Sequence, residues 1–240
     1  MDVGSLLLLC RARLTAAVGV PSGRAVLAAA GAILVLAAAA LPLLGRHGFL
    51  AWSKPPSARF AALLALRALL FPSLAEEAFW RATMLPNAHT DLSEGLTSDW
   101  GMLPRLSAQQ WLWVLACLLL FVAMHLASGP LLSRVGATHD QGRTFHDARF
   151  LYLATMLGIA CSIVYLGSGN LWAATLVHWL PVCVWLLFLG GERRLRGVSD
   201  TSEESTSDES SAEGSLRKQL LRKRKTVFCQ PRDGTETYRL

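Results

Sequence analysis

Charge is scarce in this chain. Only 17% of its 240 residues are Asp, Glu, Lys or Arg, against 52% that are hydrophobic, and mean hydropathy is +0.38. That is too apolar for an ordinary water-soluble domain and too short for two large ones. Cysteine is sparse as well. The five are Cys10, Cys117, Cys161, Cys183 and Cys229, none paired at metal-ligand spacing and three of them inside apolar runs. No disulfide framework follows from them, and they read as buried apolar filler. The net charge of +6 comes without a basic, aromatic-interleaved surface, so nucleic acid is not an expected partner. No H-E-x-x-H pair occurs, and Thr237-Tyr-Arg-Leu240 is no prenylation box.

What is present is a set of apolar runs near the roughly 20 residues needed to cross a bilayer core. The expected fold is all-α: a polytopic membrane bundle of about five spans with a disordered C-terminal tail. The spans are expected at Ala25–Leu44, Phe60–Leu85, Trp111–Leu132, Phe150–Leu166 and Leu171–Leu189. Pro72 lies inside the second and cannot donate a backbone hydrogen bond, so the helix should kink or restart there. Ser73 then stands three residues before Glu76, which fits a capping box. Residues 86–110 and 133–149 read as polar loops, and Gly167-Ser-Gly169 as a tight connection.

Three segments follow. Residues 1–23 are almost free of acid and carry Arg11 and Arg13, which suits either an organelle-targeting segment or an interfacial start to the first helix. Residues 24–191 form the membrane domain. Residues 192–240 are an acidic, then basic, tail that cannot bury a core. Its basic stretch, 216–225, suits either solvent or an anionic membrane surface. Arg193, Arg194 and Arg196 directly after the fifth span place that end on the cytoplasmic side or its organellar equivalent. Loops 45–59 and 133–149 fall on the same side and the acidic loop 86–110 on the other. The arginines near the N-terminus conflict with this count, which a cleaved or translocated segment resolves. Plastid and endoplasmic reticulum both remain open.

Against this apolar background, a few ionisable side chains stand inside the spans. They are Glu76 and Glu77 with Arg81, His125 four residues after Phe121, and His178. Even the lowest scales put a charge at a membrane helix centre at about 2.5–3.5 kcal/mol. Such groups are expected to gather in one protein-lined, partly wet site. Glu77 and Arg81 share a helix face and can pair, while Glu76 points about 100° away toward a cavity. A carboxylate partly removed from water becomes a competent general base near neutral pH. The structural alternative is that Glu76 completes the cap and Glu77–Arg81 merely locks the helix. Phe121 can orient the His125 ring. A glutamate and two histidines on successive polar-bearing helices can converge on one water, the arrangement that amide hydrolysis needs.

The ordered set Glu76-Glu77-xxx-Arg81, Phe121-xxx-His125 and His178 resembles the type II CAAX prenyl endopeptidase family, also called CPBP or Abi. Asp147-Ala-Arg149, Gly169-Asn-Leu-Trp172, His178-Trp179 and Trp185 through Gly191 resemble its cyanobacterial and plastid branch. The resemblance spans roughly residues 60–191. It implies an intramembrane peptidase with a glutamate-activated water. Glu76 is then the base, with Glu77, Arg81 and Phe121 supporting it. His125 holds the water, and His178 stabilises the oxyanion. Zinc has been proposed for the family, and Glu with two His is a zinc donor set. The missing H-E-x-x-H spacing favours no cofactor. The implied partners are a peptide or protein substrate, prenylated or not, and membrane lipids. One departure stands out. The family's His-xxx-Asn motif reads His178-xxx-Val182 here, and loss of one oxyanion donor costs about 10²–10³ in rate. A catalytically weak or inactive membrane adaptor is the alternative. A transporter is disfavoured because no inverted repeat is evident.

Overall fold

The structure, a computed structural model, describes residues 2–44, 49–87, 105–134 and 139–196, apart from the side chains of 129–134, 139–142 and 196. Everything below concerns the unit Met1–Gly197. The described residues are helices and their connections, with an isolated bridge between Leu44 and Leu50.

Short polar residues start several helices. Asp2 caps α1 (Val3–Ala17) by accepting from Ser5 N at 2.7 Å. Ser22 caps α2 (Gly23–Ala40) through Ala25 N at 3.2 Å. The second span opens with α3 (Ala58–Ala68) and continues through π-type turns at Leu69–Leu74 and Ala78–Thr83, on either side of α4 (Ala75–Glu77). The break expected at Pro72 is present: Phe71 takes φ −150° and ψ 112°. The proline ring crowds the residue before it and drives it out of helical geometry. The expected capping box does not form. Phe71 is the non-helical residue of 69–74, so Ser73 is already wound into the helix, whereas a cap residue needs an extended backbone.

A capping box does occur elsewhere. Before α5 (Ala108–Arg134), Ser107 N donates to Gln110 Oε1 at 2.8 Å and Gln110 N to Ser107 Oγ at 3.3 Å. The stretch 133–149, expected to be a loop, contains a further helix, α6 (His139–His146). A helix this short is not stable by its own propensity. It is held by packing on α5, α7 (Ala148–Ser168) and α9 (Gly191–Arg196). A window of sequence does not register that support. Gly169 ends α7 with φ 62° and donates its N–H to Tyr165 O at 2.7 Å, a left-handed cap that glycine takes without strain. The chain then enters α8 (Leu171–Phe188), which runs through Pro181 as one helix. Helix α9 carries the fold through Arg196, past the boundary expected at 191; residues 197–240 lie outside the described residues.

Among the described residues, five helices are long and apolar enough to cross a membrane: 23–43, 58–83, 108–128, 148–168 and 171–188. Their outer faces carry exposed Leu27, Leu34, Leu63, Leu119 and Leu120, which lipid solvates and water does not. Trp111, Trp113 and Trp172 are exposed near one end of the spans and Trp52 near the other, as in interfacial aromatic belts. Inside, α2, α7 and α8 meet over small residues, Ala25, Ala29, Cys161 and Ala173, which permit close backbone approach.

Hydrogen bonds fix how the second span and α8 run. Ser53 N donates to Phe188 O at 2.8 Å, so the end of α8 meets the start of the second span. At the other end both elements reach residues near α1. Asn170 Nδ2 donates to Gly19 O at 2.6 Å, and Arg13 donates to Thr83 O at 3.1 Å. The two are antiparallel. The arginine-bearing end is closed by Phe49, which is fully buried and carries the guanidinium groups of Arg149 and Arg194 at 5.2 and 4.7 Å from its ring.

Asp147 caps α7 at that end, accepting from Arg149 N at 2.9 Å and pairing with the Arg149 side chain at 2.7 Å. The hydrogen bond from Arg149 holds its carboxyl below the usual carboxylate range. A lowered folded-state pKa stabilises above the unfolded value and is lost as pH falls through the folded one. The pair is partly exposed, so solvent screens it. Asp147→Ala is therefore expected to lower stability by about 1 kcal/mol at neutral pH. In thermal unfolding in detergent, the gap from wild type should shrink in acid below pH 4. A gap that widens in acid would contradict the cap.

Candidate functional site

The polar side chains of the second span are pinned by their neighbours in three dimensions. Glu77, fully buried, accepts a hydrogen bond from His178 Nδ1 at 2.7 Å through its Oε1. The same oxygen lies 3.2 Å from an Arg81 nitrogen, the i,i+4 pair that the helix period predicts. Arg81, 2% exposed, also donates to Gly158 O at 3.0 Å and lies 4.6 Å over the Phe121 ring. A Cβ on Gly158 would stand 2.7 Å from Leu118 and 3.1 Å from Phe121, so glycine is what lets α7 approach α5 and offer that carbonyl. The network joins the second span, α5, α7 and α8. Buried charge persists there because Glu77 Oε1 faces both Arg81 and His178; Glu77 Oε2 and Arg81 Nη1 have no hydrogen-bond partner.

The carbonyl and carboxylate partners set the imidazole tautomers. His125 Nδ1 donates to Phe121 O at 2.9 Å, because a carbonyl can only accept. His178 Nδ1 donates to the Glu77 carboxylate. Both rings are therefore left with Nε2 for a water or a substrate. Phe121 holds both edge-on, with ring centroids 4.6 Å from His125 and 6.5 Å from His178. His125 continues an aromatic run through Phe150 at 5.8 Å to Trp185, a further 5.8 Å on, toward the arginine-bearing end.

Glu76 and His125 differ from this core. Both are half-buried rather than enclosed. Glu76 Oε2 is itself out of solvent and has no hydrogen-bond partner. The Glu76 carboxylate is within electrostatic reach of His178, Glu77 and Arg81, and His125 is within reach of His178 and Arg81. Glu76, Glu77, Arg81, Phe121, His125 and His178 thus lie around one locus, Glu77 and His178 sealed inside it and Glu76 and His125 at its edge. A carboxylate at the edge of a locus that also holds two imidazoles can accept a proton from a water that an imidazole orients.

Sequence reasoning gave three neighbours of this locus other roles or none: Ser73 was read as a helix cap, Cys161 as filler, and Thr175 was passed over. Cys161, treated as filler, is fully buried, and its thiol contacts Ala174 O at 3.7 Å. Ser73 and Thr175 are buried hydroxyls, one turn from Glu77 and His178 respectively. The spacings 73–77 and 175–178 were the available signal. Among the described residues, the donors gathered within 4.8 Å of one another are Glu77, Cys161 and His178; Glu76 and His125 are not in that group. This set does not suit a dication. A fixed guanidinium already stands 3.2 Å from Glu77 Oε1, and His178 Nδ1 is engaged with the same oxygen. A concavity of about 570 Å³ lined by Arg13, Pro86, Gln109, Gln110, Leu112 and Trp113 lies at the opposite end of the spans and shares no residue with the site.

No curated protein and no solved structure matches the chain. The family model for Type II CAAX prenyl endopeptidase Rce1-like proteins matches residues 58–183, from the start of α3 to Cys183 in α8. That stretch covers more than half of the chain and contains every residue of the locus described above. The chain belongs to this family of CAAX-type proteases, and it is an integral membrane protein with five membrane-capable helices.

Proposed function

We propose that this chain is an intramembrane endopeptidase that cuts a peptide or protein near a membrane-anchored end, using a water activated by Glu76 and no metal. One observation carries the reading: a half-buried carboxylate with an unpartnered oxygen stands beside a sealed Glu77–His178–Arg81 network. Glu76 takes a proton from the water while His125 Nε2 orients it. The water oxygen bonds to the scissile carbonyl carbon, and the carbonyl π pair moves onto its oxygen. His178, carrying a proton on each ring nitrogen with Nδ1–H held by Glu77, donates Nε2–H to that oxyanion. On collapse the C–N bond breaks, and the leaving amine takes the proton from Glu76. A prenylated CAAX tail is one candidate substrate and an unmodified membrane-protein terminus another. Lipids line the outer faces.

A second reading, a catalytically weak or inactive membrane adaptor, draws on Val182, which offers no hydrogen bond where the family motif carries Asn. One assay separates the two. The purified chain in detergent is incubated with a peptide library that includes farnesylated CAAX peptides, with and without 1,10-phenanthroline. Cleavage unchanged by the chelator is expected. Loss that zinc restores would overturn the metal-free mechanism, and no cleavage of any peptide would favour the adaptor.

A further inference from the structure

Serines and threonines in helices commonly satisfy themselves by donating to the carbonyl about one turn back. This chain does so repeatedly. Thr15 donates to Arg11 O, Thr83 to Ala78 O, Ser128 to Met124 O, Thr155 to Leu151 O, Ser162 to Gly158 O and Ser168 to Val164 O, at 2.6–2.9 Å. Two buried hydroxyls break the pattern. Ser73 Oγ and Thr175 Oγ1 have no hydrogen-bond partner. For Ser73 the reason is local. Its carbonyl one turn back is that of Leu69, and the extended Phe71 interrupts the helix between them.

The position of Ser73 gives the orphan hydroxyl a use. It is one turn before Glu77 and shares its helix face. Its segment, Leu69–Leu74, packs on α8. Because the two elements are antiparallel and Glu77 pairs with His178, four residues before Glu77 falls level with four residues after His178. That level is Val182, an aliphatic side chain with nothing to offer a hydroxyl. Ser73 therefore lies on the side of the Glu77–His178 pair toward which the aromatic run from His125 to Trp185 extends. Thr175 lies on the other side, one turn before His178.

We propose that Ser73 is a catalytic residue of the same site: its Oγ–H donates a hydrogen bond to the scissile carbonyl oxygen as the water adds, supplying from the second span the donor that Val182 lacks. The inference rests on the peptidase reading. The water proton goes to Glu76, the new C–O bond forms, and the oxygen carrying the displaced π pair is held by Ser73 and His178. A hydroxyl left without a partner in the resting protein is free to meet charge that appears only in the transition state.

The test is steady-state cleavage of a farnesylated CAAX peptide by the purified full chain, with thermal unfolding measured in parallel. Ser73→Ala is expected to lower kcat about 10²–10³-fold, with KM changed less than about two-fold. Its Tm should be unchanged or higher, since an unsatisfied buried hydroxyl has been removed. Ser73→Thr should recover part of kcat, and the isosteric Ser73→Val should not. A lower Tm or an unfolded Ser73→Ala protein would overturn the proposal, because it would show that the hydroxyl is satisfied in the resting fold. A wild type that cleaves beside an equally active Ser73→Ala overturns Ser73 alone; a wild type that does not cleave the peptide overturns the peptidase reading for this substrate class, and Ser73's role with it.

Discussion

Glu76→Gln is expected to lower kcat by about 10²–10⁴-fold, the range that a positioned general base supplies, while leaving thermal stability within about 0.5 kcal/mol of wild type. In barrier terms that is about 2.7–5.4 kcal/mol. The two halves of the prediction come from the same geometry. Glutamine matches glutamate in shape and fits the same half-buried place, and no hydrogen bond to Oε2 is lost because none is made. What disappears is the ability to take a proton. If Glu76 were only a helix-capping side chain, the outcome would be reversed, with stability falling and turnover following it. The structure already removes the cap, since Ser73 is wound into the helix. Turnover of Glu76→Gln within three-fold of wild type would end the glutamate mechanism.

Glu77→Ala should behave in the opposite way. Truncating one member of a buried ion pair strands the other charges and costs about 3–5 kcal/mol. Here Arg81 would keep only Gly158 O as its close acceptor, and His178 would lose its 2.7 Å acceptor. Chemical or thermal denaturation in detergent should show the full loss, and activity should fall with it. Glu77→Gln should lose less, because an amide oxygen still accepts from His178. Stability of Glu77→Ala within about 1 kcal/mol of wild type would mean that the network does not hold the four helices together. The adjacent carboxylates therefore have separable signatures. One variant is folded and inactive, the other destabilised.

Much of this was legible before any coordinates. The span limits read from hydropathy lie within a few residues of the helices, and the Glu77–Arg81 pair follows from the helix period alone. The kink at Pro72 follows from ring sterics. The misses share a cause. Helix α6 is held by packing on three neighbours, and Ser73 fails as a cap because of the backbone that Phe71 adopts beside it. Cys161 looked like an ordinary member of an apolar helix, and nothing in its own segment marks its nearness to Glu77 and His178. Local rules see one element at a time.

Composition and periodicity determined by themselves that the chain crosses a membrane several times and that its few ionisable groups must share shelter, because hydrocarbon does not tolerate them singly. Only the packing of the second span, α5, α7 and α8 decided which groups close over the two carboxylates and how deeply each is buried. Glu77 is sealed with one oxygen against His178 and Arg81, and Glu76 is left half-buried at the edge. The helix period alone put Glu77 on the face of Arg81 and turned Glu76 about 100° away from it, but no single segment shows that His178 closes over Glu77.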